Sequence, residues 1–235
     1  MAADLALLES ALHGDDRRPR VRLYRWDPPA LSVGAHLDVP ASVVLGCLDN
    51  GIEVIRRPTG GGAVLHDRDL TYSVVAPTEG RSVLETYQAV ASALIVGLKA
   101  LGLEAGTADR GPATPALHCF AAPTGADISV AGRKLCGSAQ VVRRGWFLQH
   151  GTFPIFDIRQ KVASLLGDAA DSSAFLREFV PSATFETLAL ALIEGFATAF
   201  GPPAARGLNR EEKEHLERIL SVEMPAAVAD PLASV

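Results

Sequence analysis

The segment RRPTGGGAVLHD, residues 56–67, gathers two arginines, three consecutive glycines and a histidine–aspartate pair. Gly60, Gly61 and Gly62 remove side chains from three adjacent positions, so backbone N–H groups there could come close to a phosphate, a carboxylate or a pantetheine amide. Arg56 and Arg57 lead into the loop and could pair with an anion. The spacing is not that of a Walker loop, because the lysine–hydroxyl pair is missing, and it is not a dinucleotide fingerprint. A bare glycine hairpin with no ligand would need the same residues.

A second group of candidates lies downstream. Lys134 sits in GRKLCG between Gly132 and Gly137, where missing side chains would let a ligand approach the amine. Cys136 follows two residues later, and in an extended strand it shares a face with Lys134. A free thiol is only about a few per cent thiolate at neutral pH, and a nearby ammonium raises that fraction. Spacing alone therefore favours Cys136 as the partner of Lys134, while Cys119, just before FAAP, is the other reactive candidate. Cys47 in VVLGCLDN reads as packing. Buried, inert cysteine is the commoner fate of all three. His66 and His150 adjoin glycine-rich turns and could move protons or simply hold those turns; His118 next to Cys119 would point the opposite way in an extended chain.

These residues need elements to position them. LALLESALHG reads as a short amphipathic helix ending near Gly14, and RVRLYRW and ALSVG read as strands. GIEVIRRP enters the glycine loop as a strand and LTYSVVAP leaves it as another. Ser82 and Glu85 form a capping box, and Val83, Tyr87, Val90, Leu94, Leu98 and Leu101 keep helical spacing over 83–101. Residues 104–118 are small, interrupted by Gly and Pro, and read as a long functional loop. ADISVAGRKLCGSAQVV reads as a hairpin turning at Ala131-Gly132, with WFLQHGTF a further strand after Arg144-Gly145. DIRQKVASLLG, 185–200 and a segment capped by Asn209 read as helices. Strands run early and helices cluster late, which predicts an α+β fold. We expect one catalytic domain over 1–220 and a frayed tail over 221–235.

Apolar residues make up 48% and charged residues 21% of the 235, as in an ordinary globular chain. The net charge of −5 argues against a whole-protein nucleic-acid binder. Three widely spaced cysteines form neither a closed disulfide set nor a zinc site, which points to a reducing compartment. The start of the chain has no signal-peptide pattern, and no apolar run reaches membrane-spanning length. The expectation is a cytoplasmic protein, with no metal.

Taken together, LYRWDPPALSVG, RRPTGGGAVLHDRDLTYSV, CFAAPTGADISVAGRKLCGSAQ and LQHGTF resemble the lipoate/biotin protein ligase superfamily, in its order and spacing, over roughly residues 3–200. The resemblance implies a mixed, mainly antiparallel β-sheet flanked by helices. Within that superfamily, the Cys-Phe-x-x-Pro segment before the GRK hairpin resembles the octanoyl-carrier-protein:protein octanoyltransferases of the ligase-like type. That implies Cys119 as the acyl-accepting nucleophile and Lys134 as the lysine of the acyl site, with Cys136 packing, which reverses the preference drawn from spacing. Arg57, Gly60, Gly61, Gly62, His66, Gly132, Gly137 and His150 would shape the binding site. The implied partners are acyl carrier protein as donor, and as acceptor lipoyl domains of 2-oxoacid dehydrogenases or the glycine-cleavage H protein. No cofactor is implied, nor a nucleic acid or membrane partner, and the protein is expected to be a monomer. An ATP-dependent lipoate ligase and an amidotransferase between carrier domains are the alternatives.

Overall fold

The computed structural model describes residues 1–108, 117, 127–167 and 173–223. The elements run α1 (Ala2–His13), β1 (Arg20–Tyr24), β2 (Ala30–Val33), α2 (Ala41–Asp49), β3 (Glu53–Arg56), β4 (Val64–His66), β5 (Asp69–Pro77), α3 (Val83–Ala100), β6 (Ala105–Thr107), β7 (Ile128–Val130), β8 (Arg133–Arg143), β9 (Trp146–Pro154), α4 (Arg159–Leu166), α5 (Leu176–Phe179), α6 (Phe185–Phe200) and α7 (Arg210–Glu223). They build a six-stranded sheet in the order β1-β5-β9-β8-β7-β6 and a three-stranded sheet in the order β3-β2-β4. Between the named strands every pairing is antiparallel except β2 with β3. This is the mainly antiparallel α+β architecture read from the sequence. Helices are not confined to the C-terminal part, however, because α1, α2 and α3 alternate with the early strands.

The alternation within β5 explains how the large sheet is covered. Leu70, Tyr72, Val74 and Ala76 face one side and join the main core with α3 and α6. Asp69, Thr71, Ser73 and Val75 face the other, and all are buried. In register with them, β9 presents Thr152 opposite Thr71, His150 opposite Ser73 and Leu148 opposite Val75. Val75 and Leu148 pack under Leu7, Leu8 and Ala11 of α1. The rest of that face is polar yet screened from water, which is an expensive arrangement unless every group finds a partner.

Helix α3 is anchored by the capping box expected of Ser82 and Glu85. By length and composition it could cross a membrane, but its apolar face is spent in the core against α6. The two helices meet so closely that a Cβ on Gly195 would lie 2.1 Å from the Ala93 carbonyl oxygen. Helix α6 occupies the predicted 185–200, and Asn209 caps α7 by accepting from the Glu212 N–H at 2.9 Å. The turns expected at Ala131-Gly132 and Arg144-Gly145 both have positive φ at both residues. Residues 105–107, read from sequence as part of a loop, instead form edge strand β6 on β7. Its three small residues carry no alternation, so the neighbouring strand, not local pattern, places it there.

Candidate active site

A cleft opens between the two sheets. The large sheet contributes Thr71, Gly137, Ser138, Ala139, His150, Gly151 and Thr152; the small sheet and its loops contribute Ser32, Arg57, Val64 and His66; Trp26 also lines it. Of the residues singled out in the sequence, Arg57, His66, Gly137 and His150 therefore come together. Gly132 does not: it forms the β7–β8 turn, with φ +73 and open space around it.

The glycine loop is held by arginine, not merely preceded by it. Arg57 is buried and donates through Nη2 to the carbonyls of Gly60 and Gly62, at 2.9 and 2.7 Å, and through Nη1 to Ser32 O at 3.1 Å. Arg56 Nη1 donates to the carbonyls of Gly34 and Leu37, at 2.8 and 3.1 Å. Both arginines thus brace backbone carbonyls around the loop, and Arg57 also lines the cleft. The loop lacks a ladder partner for these carbonyls, and the guanidinium donors supply one. Glycine is required where the loop rests on β2, because a Cβ on Gly34 would lie 2.0 Å from the Gly61 carbonyl oxygen. Gly61 itself has φ +96.

Lys134 is almost wholly buried, with its Nζ 2.7 Å from Asp127 Oδ2. Asp127 Oδ1 also accepts from the Ser138 N–H at 3.3 Å, which ties this ion pair to the strand segment lining the cleft. An ammonium without a counter-charge would be costly here, so Asp127 is what allows Lys134 to be buried. Cys136 packs in the main core, with Sγ 3.9 Å from Ser138 Oγ. A register shift between Ile128 and Ser129 separates the partners of Cys136 and Lys134, so simple alternation does not govern their relation. Cys47 is also buried, and desolvation pushes its thiol above the ordinary value. Cys119 and His118 lie outside the described residues. Leu117, just before them, accepts from the Ala63 N–H beside the glycine loop at 2.6 Å.

Two imidazoles face the cleft. His66 Nε2 lies 2.8 Å from Ser32 Oγ, and its Nδ1 lies 2.8 Å from Asp69 Oδ2. The same carboxylate oxygen accepts from Thr71 and Thr152. The connectivity resembles a hydrolytic triad, but Ser32 lies in the middle strand of the small sheet, where pairing on both edges consumes neighbouring backbone donors. His150 Nε2 is 2.7 Å from Thr59 Oγ1, while its Nδ1 is 3.9 Å from Asp4 Oδ2. Burial pushes His150 below its ordinary value, against the pull of Asp4, which favours the neutral imidazole. Burial opposes ionisation of Asp4, yet its polar surroundings, the Arg22 guanidinium among them, hold its carboxyl well below the usual carboxylate range. Asp4 also accepts from Tyr24 Oη at 2.8 Å and Ser73 Oγ at 2.6 Å. Among the described residues no group of three or more side chains is arranged to hold a metal ion.

Sequence reasoning missed Trp26, Ser32, Asp4, Asp69 and Asp127. A signal existed for Asp4, which shares the helical stripe of Leu7, Leu8 and Ala11, and for Asp69, which opens the polar face Asp-x-Thr-x-Ser of a strand buried on both faces. Nothing local marked Trp26 or Asp127.

The lipoyl protein ligase A/B catalytic-domain model matches residues 1–196. The octanoyltransferase LipM of Kyrpidia tusciae is 36% identical over 249 residues, covering 94% of this chain and 90% of that protein. The octanoyltransferase LipM of Carboxydothermus hydrogenoformans is 43% identical over 162 residues, 66% of this chain and 60% of its own length. Among solved structures, a T. acidophilum protein with bound lipoic acid superposes with a TM-score of 0.80 at 24% identity, covering 94% of this chain and 88% of that one. The bipartite lipoate protein ligase of Thermoplasma acidophilum, described with its E2 lipoyl domain, gives 0.72 at 24%, covering 94% and 86%. By the extent of the family match and the near full-length relative, this chain belongs to the lipoyl protein ligase A/B catalytic-domain family.

Proposed function

We propose that this chain is a protein octanoyltransferase that moves an octanoyl group from octanoyl-acyl carrier protein to a lysine of a lipoyl domain or of the glycine-cleavage H protein. A thioester on Cys119 carries the group between them. The observation that carries this reading is the cleft between the two sheets, with the arginine-braced glycine loop on one wall and the Lys134–Asp127 pair tied to the other. The names of the curated relatives support the acyl group.

In the first step the Cys119 thiolate attacks the thioester carbonyl of the donor. The new carbon–sulfur bond forms, the old one breaks, and the pantetheine thiolate leaves and takes up a proton. In the second step the neutral amine of the acceptor lysine attacks octanoyl-Cys119. An amide forms, the Cys119 thiolate leaves, and the amine gives up its extra proton. Thioester exchange is nearly balanced and amide formation is downhill, so ATP is not consumed. Lys134, held by Asp127, stabilises negative charge on sulfur and on the carbonyl oxygen as each step proceeds. Cys136 takes no part, since it is occupied in the core.

The test is an intact mass after mixing the protein with octanoyl-acyl carrier protein without ATP, followed by peptide mapping. An octanoyl adduct on Cys119, lost in Cys119→Ala and kept in Cys136→Ala, is the expected result. An adduct on Cys136 would overturn the choice of nucleophile. Label appearing only with lipoate and ATP, and surviving Cys119→Ser, would make the chain a ligase instead.

A further inference from the structure

The two-residue turn Asp67-Arg68 joins β4 to β5, and Arg68 stands there at φ +58, in the left-handed region that glycine adopts without strain. What the arginine contributes in return is not an ion pair, because among the described residues no carboxylate reaches it. Its guanidinium instead lies over the Phe156 ring, with Cζ 3.7 Å from the centroid. Arg177 Cζ lies 4.8 Å from the same centroid, and both arginines are exposed. The carboxylates adjoining them in the chain are already engaged. Asp67 pairs with Lys161 at 2.6 Å, Asp157 with Arg159 at 2.7 Å, and Glu178 with Arg133 at 2.6 Å. Two guanidiniums are thus held beside one ring without a counter-charge from these neighbours, in a chain whose net charge is −5.

Resting on the acyl-transfer reading above, we infer that Arg68 and Arg177 bind the phosphate of the donor's phosphopantetheine arm. Arg68 is two residues from His66 and three from Thr71, which both line the cleft, so its backbone stands within about 10 Å of that lining. Of the two substrates, only the donor carries a fixed anion on the group that enters, since its pantetheine is joined to the carrier through a phosphodiester. The acceptor presents an amine, and in its ammonium form the same two charges repel it. Stacking occupies the face of a guanidinium and leaves the N–H donors in its plane, where they can fork onto phosphate oxygens. Arg177 Nε is spent on the Pro181 carbonyl at 2.6 Å, which fixes the side chain and leaves its Nη groups for the phosphate.

The experiment compares single-turnover loading of Cys119 from octanoyl-phosphopantetheine, from octanoyl-pantetheine, which lacks the phosphate, and from octanoyl-acyl carrier protein. It uses the full chain as parent, Arg68→Gly and Arg177→Ala. At limiting donor the parent is expected to load octanoyl-phosphopantetheine at least about tenfold faster than octanoyl-pantetheine, as one charge-assisted hydrogen bond implies. Either substitution should remove most of that difference and leave the octanoyl-pantetheine rate unchanged. Arg68→Gly also relieves the left-handed turn, so its melting temperature should stay near the parent's and a selective loss is not a folding defect. Equal loading of the two small donors by the parent, or a parent-like ratio in either variant, overturns the proposal. So does a loss confined to octanoyl-acyl carrier protein, which would set the arginines against the carrier's surface instead of the phosphate. If the parent loads none of the three donors, the transfer reading fails. The phosphate site is then judged by calorimetric binding of phosphopantetheine against pantetheine to the same three proteins, on the same ratio.

Discussion

His66 and His150 face the same cleft from opposite sheets, and each sits between a carboxylate and a hydroxyl. Their hydrogen bonding is nonetheless unequal. Both ring nitrogens of His66 have close partners, and a tryptophan ring lies over one face. Among the described residues His150 has one close partner, Thr59, and its other nitrogen is buried with no hydrogen bond, while Arg22, Tyr24 and Ser73 occupy the Asp4 carboxylate. The first imidazole is fastened as part of a wall. The second retains an unused position within a screened site, and such positions are where ligands and proton transfers find room.

The largest expected effect tests what keeps His150 in that state. Asp4→Ala leaves Arg22 without its counter-charge and breaks a four-membered polar cluster, so the loss of stability should be about 3–5 kcal/mol by urea unfolding. A loss under about 1 kcal/mol would mean the cluster is dispensable. Next, the two imidazoles can be compared directly. His66→Ala forfeits a charge-assisted bond, a neutral bond and the Trp26 stack, about 3 kcal/mol together, against about 1 kcal/mol for His150→Ala with its single close bond. Equal losses would erase the distinction.

The pH dependence sharpens it further. The folded pKa of His150 is below its ordinary value of 6.5, so under that pH the unfolded chain takes up a proton that the folded chain refuses. Its contribution is therefore nil above 6.5 and unfavourable below, lowering stability by up to about 1.4 kcal/mol per pH unit until the folded group itself protonates. His150→Gln should remove this part of the slope between pH 7 and 5, and an identical slope in that variant would contradict it. An effect of the same size as His150→Ala is expected from Thr59→Val, which deletes the close partner of His150 at about 1 kcal/mol.

Much of the fold was legible because its signals are local. The Ser82–Glu85 box, the Asn209 cap, the paired turns at Ala131-Gly132 and Arg144-Gly145, and the alternation in β5 and β9 each need only a few neighbouring residues. Strands β4 and β6 carry three residues each, too few for a period to show, and β6 contains alanine and glycine. The resemblance of the four sequence blocks named Arg57, Gly60, Gly61, Gly62, His66, Gly132, Gly137 and His150; of these Arg57, His66, Gly137 and His150 line the cleft and Gly132 stands apart. Their partners were not: Ser32 is 34 positions from His66, and Thr59 is 91 from His150.

The sequence by itself determined the longer helices and strands and the tight turns, and which residue types are chemically able to act. These follow from backbone sterics, capping and periodicity within a few positions. Tertiary structure alone decided what those residues are bonded to. It turned Arg57 under the glycine loop, paired Lys134 with Asp127, and laid Trp26 over His66. Each of those contacts depends on two sheets meeting face to face, where burial makes every polar group find a partner or bear the cost of having none.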